Sequence, residues 1–255
     1  TGITELPVRS AKVEKSLQTL MEKHLDDFLG IRFLATEYVI RAPEQGRIDT
    51  LGLDENGCPV IIEYKRSINE NVINQGLFYL DWLLGHRKDF QWLVMEQFGE
   101  EQAKAVDWSA PRLLCISGDF TNYDQHAIKQ INRNIELIRY RHYGDELLML
   151  ELVNATSAPP QTSFTTEGSA GSTGGGNKYT TVSEHIAQAG QPLRDRYEAL
   201  KSFLMALGDD VQVKELAFYI AFRRLKNFAC VELRLILDTI RVYVKVNPDT
   251  VDLEA

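Results

Sequence analysis

The sequence is poor in the residues that build disulfide or zinc frameworks. Three cysteines (Cys58, Cys115, Cys230) are scattered through 255 residues without CxxC spacing. That excludes a disulfide scaffold and a Cys-based zinc site, and it suits a reducing, cytoplasmic setting. Five histidines (His24, His86, His126, His142, His185) show neither HxxxH nor HExxH spacing. No apolar run reaches the roughly 18 residues needed to cross a bilayer, so no membrane partner is expected. The first residues, Thr1-Gly2-Ile3-Thr4-Glu5, lack both a charged-then-apolar leader and an initiating Met, the pattern of a processed or trimmed end. No Gly-rich phosphate loop is present: Gly174-Gly175-Gly176 has no strand before it and no Lys-Ser/Thr after it. Positive charge is also in deficit. Lys+Arg number 28 against 36 Asp+Glu, net −8, which counts against tight non-specific binding to nucleic acid.

What is present is a folded chain in two parts. A hydrophobic fraction of 44% is ordinary for a globular protein. Residues 154–178 are dominated by Ser, Thr, Gly and Pro, with Phe164 the one large apolar residue. Such a segment buries too little apolar surface to offset its ordering entropy and reads as a linker. It separates a domain of residues 1–153 from a smaller one of 179–255.

In the first part, Ala11 to Leu29 places Val13, Leu17, Leu20, Met21, His24 and Phe28 at helical spacing. Strands are expected over Arg32–Ile40, Gly46–Leu53 and Pro59–Lys65, the last two joined by Asp54-Glu55-Asn56-Gly57, whose Asn-Gly pair is a hairpin signal. A helix over Asn71–Leu84, strands over Phe90–Glu96 and Arg112–Ser117, a helix over Asp124–Arg139 and a strand over Glu146–Val153 follow. The expected fold class is α/β, a mixed sheet flanked by helices. The second part predicts a helix over Pro192–Leu207 and strands over Gln212–Phe222, Asn227–Arg234 and Arg241–Val246, a small α+β unit that reads as truncated at its end.

The chemistry concentrates at the Asn-Gly hairpin. Glu63 and Lys65 are two apart on a strand and so share a face, while Tyr64 points to the other. They follow the buried-type run Val60-Ile61-Ile62, where charge is costly unless it has work to do. Asp49, on the preceding strand, reaches the same face if the register allows. Two carboxylates and a lysine at a strand end suit a hard divalent cation such as Mg²⁺. Gln75 and Tyr79, four apart on the next helix, share a face beside them, and Glu22 and Asp26 edge the first helix. The basic run Arg223-Arg224-Leu225-Lys226 is the densest cation cluster of the second part. Arg139-Tyr140-Arg141-His142-Tyr143 interleaves cations and aromatics, as a nucleic-acid contact or a solvated helix end would.

Asp49 with Glu63-x-Lys65 resembles the core of the PD-(D/E)xK nuclease superfamily, with Ile48 at the nominal proline. The wider set from Glu22 through Gly46-Arg47-Ile48-Asp49, Glu63-Tyr64-Lys65-Arg66 and Gln75-x-x-x-Tyr79 looks like the catalytic domain of NucS/EndoMS-type and related RecB-like endonucleases, over Lys12 to Val153. The resemblance implies a restriction-endonuclease-like fold and a metal-dependent endonuclease that hydrolyses DNA with a metal-activated water. It implies Mg²⁺ or Mn²⁺ held by Asp49, Glu63 and the Tyr64 carbonyl, with Lys65 as the catalytic lysine. Glu22 would reach a metal-bound water or a second ion, and Gln75 would orient the lysine or contact substrate. Arg47, Arg66 and Tyr79 would lie against substrate. DNA is the expected partner, with RNA the other candidate, and a homodimer would suit cutting of both strands. The second part resembles a small domain family of unassigned function, sometimes labelled a predicted transport protein. A different class also fits the sequence: a non-catalytic nucleic-acid-binding or regulatory module that retains the nuclease fold. The acidity reads differently in this light, because Glu22, Asp49 and Glu63 sit where a cation would invert the local sign.

Overall fold

The computed structural model describes residues 8–9, 14–65, 71–144, 147–157, 182–216 and 219–247. The chain forms two compact units, Thr1–Pro159 and Pro160–Ala255, each with its own core.

The first unit runs β1 (Val8–Arg9), α1 (Glu14–Lys23), α2 (Leu25–Leu29), β2 (Ile31–Ile40), β3 (Gly46–Asp54), β4 (Pro59–Lys65), α3 (Asn71–Gly85), α4 (Arg87–Phe98), α5 (Glu100–Lys104), β5 (Arg112–Ser117), α6 (Asn122–Ile128), β6 (Asn134–Tyr143) and β7 (Leu147–Thr156). Seven strands make one mixed sheet in the order β1-β6-β5-β4-β3-β2, with β7 also on β6. The β2-β3-β4 meander is antiparallel, β4-β5-β6 is parallel, and β6-β7 returns antiparallel. Parallel strands are buried on both faces, and β5 is buried at all six positions. Helix α1 packs against β3 and β4, and α3 packs against β3, β4 and β5. Gly76 lets α3 approach β5 closely: a Cβ there would meet the Leu113 side chain at 2.5 Å.

The hairpin turn behaves as its residues predict. The Asp54 carboxylate accepts from the Asn56 and Cys58 N–H groups at 2.9 Å each, and Gly57 takes φ +78°. At this end of the sheet Arg112 is 1% exposed and bridges Asp54 (2.9 Å) and Glu136 (2.8 Å). Both carboxylates hold its guanidinium charged against the cost of burial.

Four expectations change in this unit. The first helix breaks at His24 into α1 and α2. Phe90–Glu96 is not a strand but the middle of α4. Phe90 and Val94 are buried four residues apart while Trp92 is 58% exposed, so the alternation of large apolar residues is not one of burial. The helix expected over Asp124–Arg139 stops at Ile128, and Asn134–Tyr143 is β6. The start of α6 is set by a capping box, in which Thr121 Oγ1 accepts from Asp124 N–H and the Asp124 carboxylate accepts from Thr121 N–H. Strand β7 runs to Thr156, so 154–156 belong to the sheet, while residues 158–181, most of the expected linker, lie outside the described residues.

The second unit has α7 (Val182–Gln188), α8 (Gln191–Met205), β8 (Gln212–Glu215), β9 (Ile220–Arg223), β10 (Asn227–Arg234), a 3-10 turn (Leu235–Leu237) and β11 (Thr239–Val244). Its four strands form an antiparallel sheet in the order β11-β10-β9-β8. Leu193, Tyr197 and Leu204 of α8 join Phe222, Ala229 and Val231 in its core. The strand expected over Gln212–Phe222 is two strands, β8 and β9.

Candidate active site

The site begins where β3 and β4 stop pairing. Their register runs from Leu53↔Pro59 to Thr50↔Ile62, and beyond that point carboxylates replace main-chain partners. The Asp49 N–H donates to Glu63 Oε1 at 3.2 Å, and the Tyr64 N–H donates to Asp49 Oδ2 at 3.0 Å. Each carboxylate thus holds the other residue's strand. Glu63 is fully buried (0% exposed), Asp49 is partly exposed, and Lys65 ends β4. Strand alternation places Lys65 on the Glu63 face, and Glu63 lies beside Cys115 across the β4–β5 pairing. Burial, with the Glu63 and Asp124 charges, pushes that thiol up, and Lys65 opposes them only in part. Cys115 is therefore a protonated core residue and no nucleophile.

Tyr64 projects to the opposite face. Burial above all pushes its phenol up; the nearby Thr50 hydroxyl opposes this, and the charges of Glu22, Asp49 and Glu63 add to it. Glu22 is held on that side. Its Oε1 accepts from Thr50 Oγ1 at 2.6 Å and from Gln18 Nε2 at 3.0 Å. It does not join Asp49 and Glu63 in one cluster, and among the described residues no three His, Cys, Asp or Glu side chains form a ready metal cage.

Gln18 has no counterpart among the sequence expectations. It is 4% exposed, and its amide donates to the Asp49 carbonyl (2.8 Å), Thr36 Oγ1 (3.1 Å) and Glu22. One side chain thus fixes α1, β2 and β3 around Asp49. The only sequence signal was its position four residues before Glu22 on the same helix face.

The remaining predicted residues divide. Gln75 Nε2 donates to the Tyr79 hydroxyl (3.1 Å), which also accepts from the Arg47 N–H (3.2 Å). Tyr79 is 5% exposed and its ring rests on Gly46, where a Cβ would meet it at 2.7 Å. Tyr79 therefore anchors the start of β3. The Arg47 side chain is exposed and pairs with Glu37 at 2.8 Å, and Lys15 reaches the same carboxylate at 2.7 Å. Lys15 above all, with Arg47, holds the Glu37 carboxyl below the usual carboxylate range. Arg66 lies outside the described residues.

Two basic clusters are spent internally. Arg139, on a strand and not at a helix end, pairs with Asp119 (3.1 Å) and Glu151 (3.0 Å), and Tyr140 is buried. In the second unit Arg223 is buried and donates to the Leu225 carbonyl, while Arg224 pairs with Asp210 at 2.6 Å. Within the cluster Arg223-Arg224-Leu225-Lys226, Arg223 and Arg224 are thus engaged inside the second unit.

The donor set fits a hard cation. Asp49 and Glu63 offer oxygens at a strand end, as Mg²⁺ and Mn²⁺ prefer, with room in the coordination number for water and phosphate. Soft or imidazole ligands are absent from the group.

Comparison with known proteins places two kinds of likeness on this chain. A family model described as a domain of unknown function (DUF5655) matches residues 182–253, the second unit. A protein of Haemophilus influenzae described as uncharacterized is 27% identical over 252 residues, covering 96% of this chain and 80% of that protein. Among solved structures, a repair endonuclease from Pyrococcus abyssi overlays 51% of this chain with a TM-score of 0.34 and 18% identity. An EndoMS–dsDNA2 complex overlays 55% with a TM-score of 0.32 and 16% identity. The matched region spans 48% of each of those chains, so this chain corresponds to about half the length of the structures it resembles.

Proposed function

We propose that the first unit is a metal-dependent nuclease that hydrolyses DNA phosphodiester bonds at the end of β3 and β4. The observation that supports it is the reciprocal lock of Asp49 and Glu63 across two separating strands, with Lys65 on the same face. Burying Glu63 completely at the end of an apolar strand is costly unless its charge is offset, which is what a bound cation would do. Asp49 and Glu63, with the Tyr64 carbonyl, would hold Mg²⁺ or Mn²⁺. When bound there the ion supplies polarisation of a phosphoryl oxygen and an acidified water. Lys65 places a cation where charge develops on the phosphoryl oxygens and orients the attacking water. Gln18, Thr36, Thr50 and Glu22 keep Asp49 in place, and Tyr79 with Gln75 fixes the entry to β3.

Cleavage of labelled single-stranded, duplex, flap and mismatched DNA, titrated with Mg²⁺ and Mn²⁺, tests this reading. Metal-dependent cutting that Asp49→Ala and Lys65→Ala abolish, in folded protein, supports it. Failure of folded, metal-supplied protein to cut any of these substrates would overturn it in favour of a non-catalytic module.

A further inference from the structure

Helix α3 carries more than the expected pair. Gln75, Tyr79, Trp82 and His86 fall at i, i+4, i+7 and i+11, with His86 just past the helix end, so they share one stripe, whose Tyr79 meets β3 at Arg47, two residues before Asp49. From Gln75 to Trp82 is about 10 Å along the axis, the length of about three nucleotides at 3.4 Å per step. At its far end the stripe meets β2 and the loop after it in a groove of about 520 Å³, lined by Tyr38, Arg41, Glu44, Trp82, His86 and Asp89 among others. That volume lies in the range of small-ligand pockets.

The groove has the chemistry of an unpaired nucleotide. Trp82 and His86 stack at 4.6 Å and 13°, and Tyr38 stands 5.6 Å from Trp82 with its plane tilted by 47°, so the two rings splay. His86 Nδ1 donates to the Trp82 carbonyl at 2.8 Å, which leaves Nε2 as the ring's other polar atom. Arg41 supplies a cation for a phosphate, and Asp89 and Glu44 supply acceptors for exocyclic amines. Burial, then Asp89, pushes the Tyr38 phenol up and Arg41 opposes them, so the hydroxyl stays protonated between the two charges.

We infer that this groove is a subsite for one unpaired base of a single-stranded segment whose phosphates run to the Asp49–Glu63 site; this rests on the nuclease reading above. Aromatic stacking is sequence-tolerant and contributes enough per base to change affinity by about 5- to 150-fold.

The experiment compares two short labelled single strands of equal length, one intact and one with abasic positions, by anisotropy in EDTA and by cleavage with Mg²⁺. Intact strand should bind at least about fivefold tighter than abasic strand. Trp82→Ala should erase that preference, Trp82→Phe should keep most of it, and Arg41→Ala should weaken both strands alike. Equal binding of intact and abasic strands by folded wild-type protein that still cuts DNA overturns the subsite and leaves the nuclease reading standing. Neither binding nor cutting of any strand overturns both. Tight capture of free mononucleotides with no preference between the strands also overturns the subsite, showing a small-molecule pocket instead.

Discussion

At the scale of single residues, the division of labour around Asp49 makes separable predictions. Lys65→Ala removes a cation from the candidate reaction centre and nothing from the core, so cleavage should fall by about a hundredfold or more with little change in melting temperature. Gln18→Ala strips three acceptors of a buried donor and should cost about 1–3 kcal/mol in urea unfolding, with a smaller loss of cleavage than Lys65→Ala. At the opposite end of the sheet, Arg112→Met leaves Asp54 and Glu136 buried without their cation. It should destabilise by about 3–5 kcal/mol in the same assay. The residues that hold charge on strands were legible because two-residue alternation is fixed for any strand. Gln18 was not, since nothing in a helical glutamine announces that its amide will meet a carbonyl from a strand 31 residues away.

At the scale of elements, the hairpin was readable from Asn56-Gly57 and the flanking apolar runs, and the β3–β4 register follows from it. Two elements were not. In α4 the apolar residues at 90, 92 and 94 imitate a strand, and only tertiary burial of Phe90 and Val94 with Trp92 left out reveals the helical phase. Strand β6 mixes Glu136, Arg139 and Arg141 into an apolar run, a helix-like pattern. In the sheet Glu136 is neutralised by Arg112, and Arg139 by Asp119 and Glu151. Long-range ion pairs thus decided a local structure. The α6 start is local, so Thr121→Ala should cost about 1 kcal/mol, read as a shift in denaturation midpoint. Tight contact between α3 and β5 makes Gly76→Ala an overpacking change, and about 1–3 kcal/mol of destabilisation should follow in thermal unfolding.

At the scale of the whole molecule, the acidic balance is compatible with the proposed DNA substrate only if that substrate is held in a restricted way. The first part carries 17 Lys+Arg against 24 Asp+Glu, and several of its arginines are committed to internal carboxylates. On the proposed reading, affinity would come from a cation at the site and from ring stacking more than from phosphate neutralisation, and a shallow salt dependence of binding is the expected signature. The Asp49–Glu63 exchange of strand partners has one more consequence. The amide protons of Asp49 and Tyr64 are held by carboxylates and not by carbonyls, so any ion drawn to those oxygens loosens two specific N–H bonds. In a nitrogen–proton NMR spectrum these two resonances serve as built-in gauges of occupancy. They should move and exchange faster with solvent as metal is added, before any substrate is present.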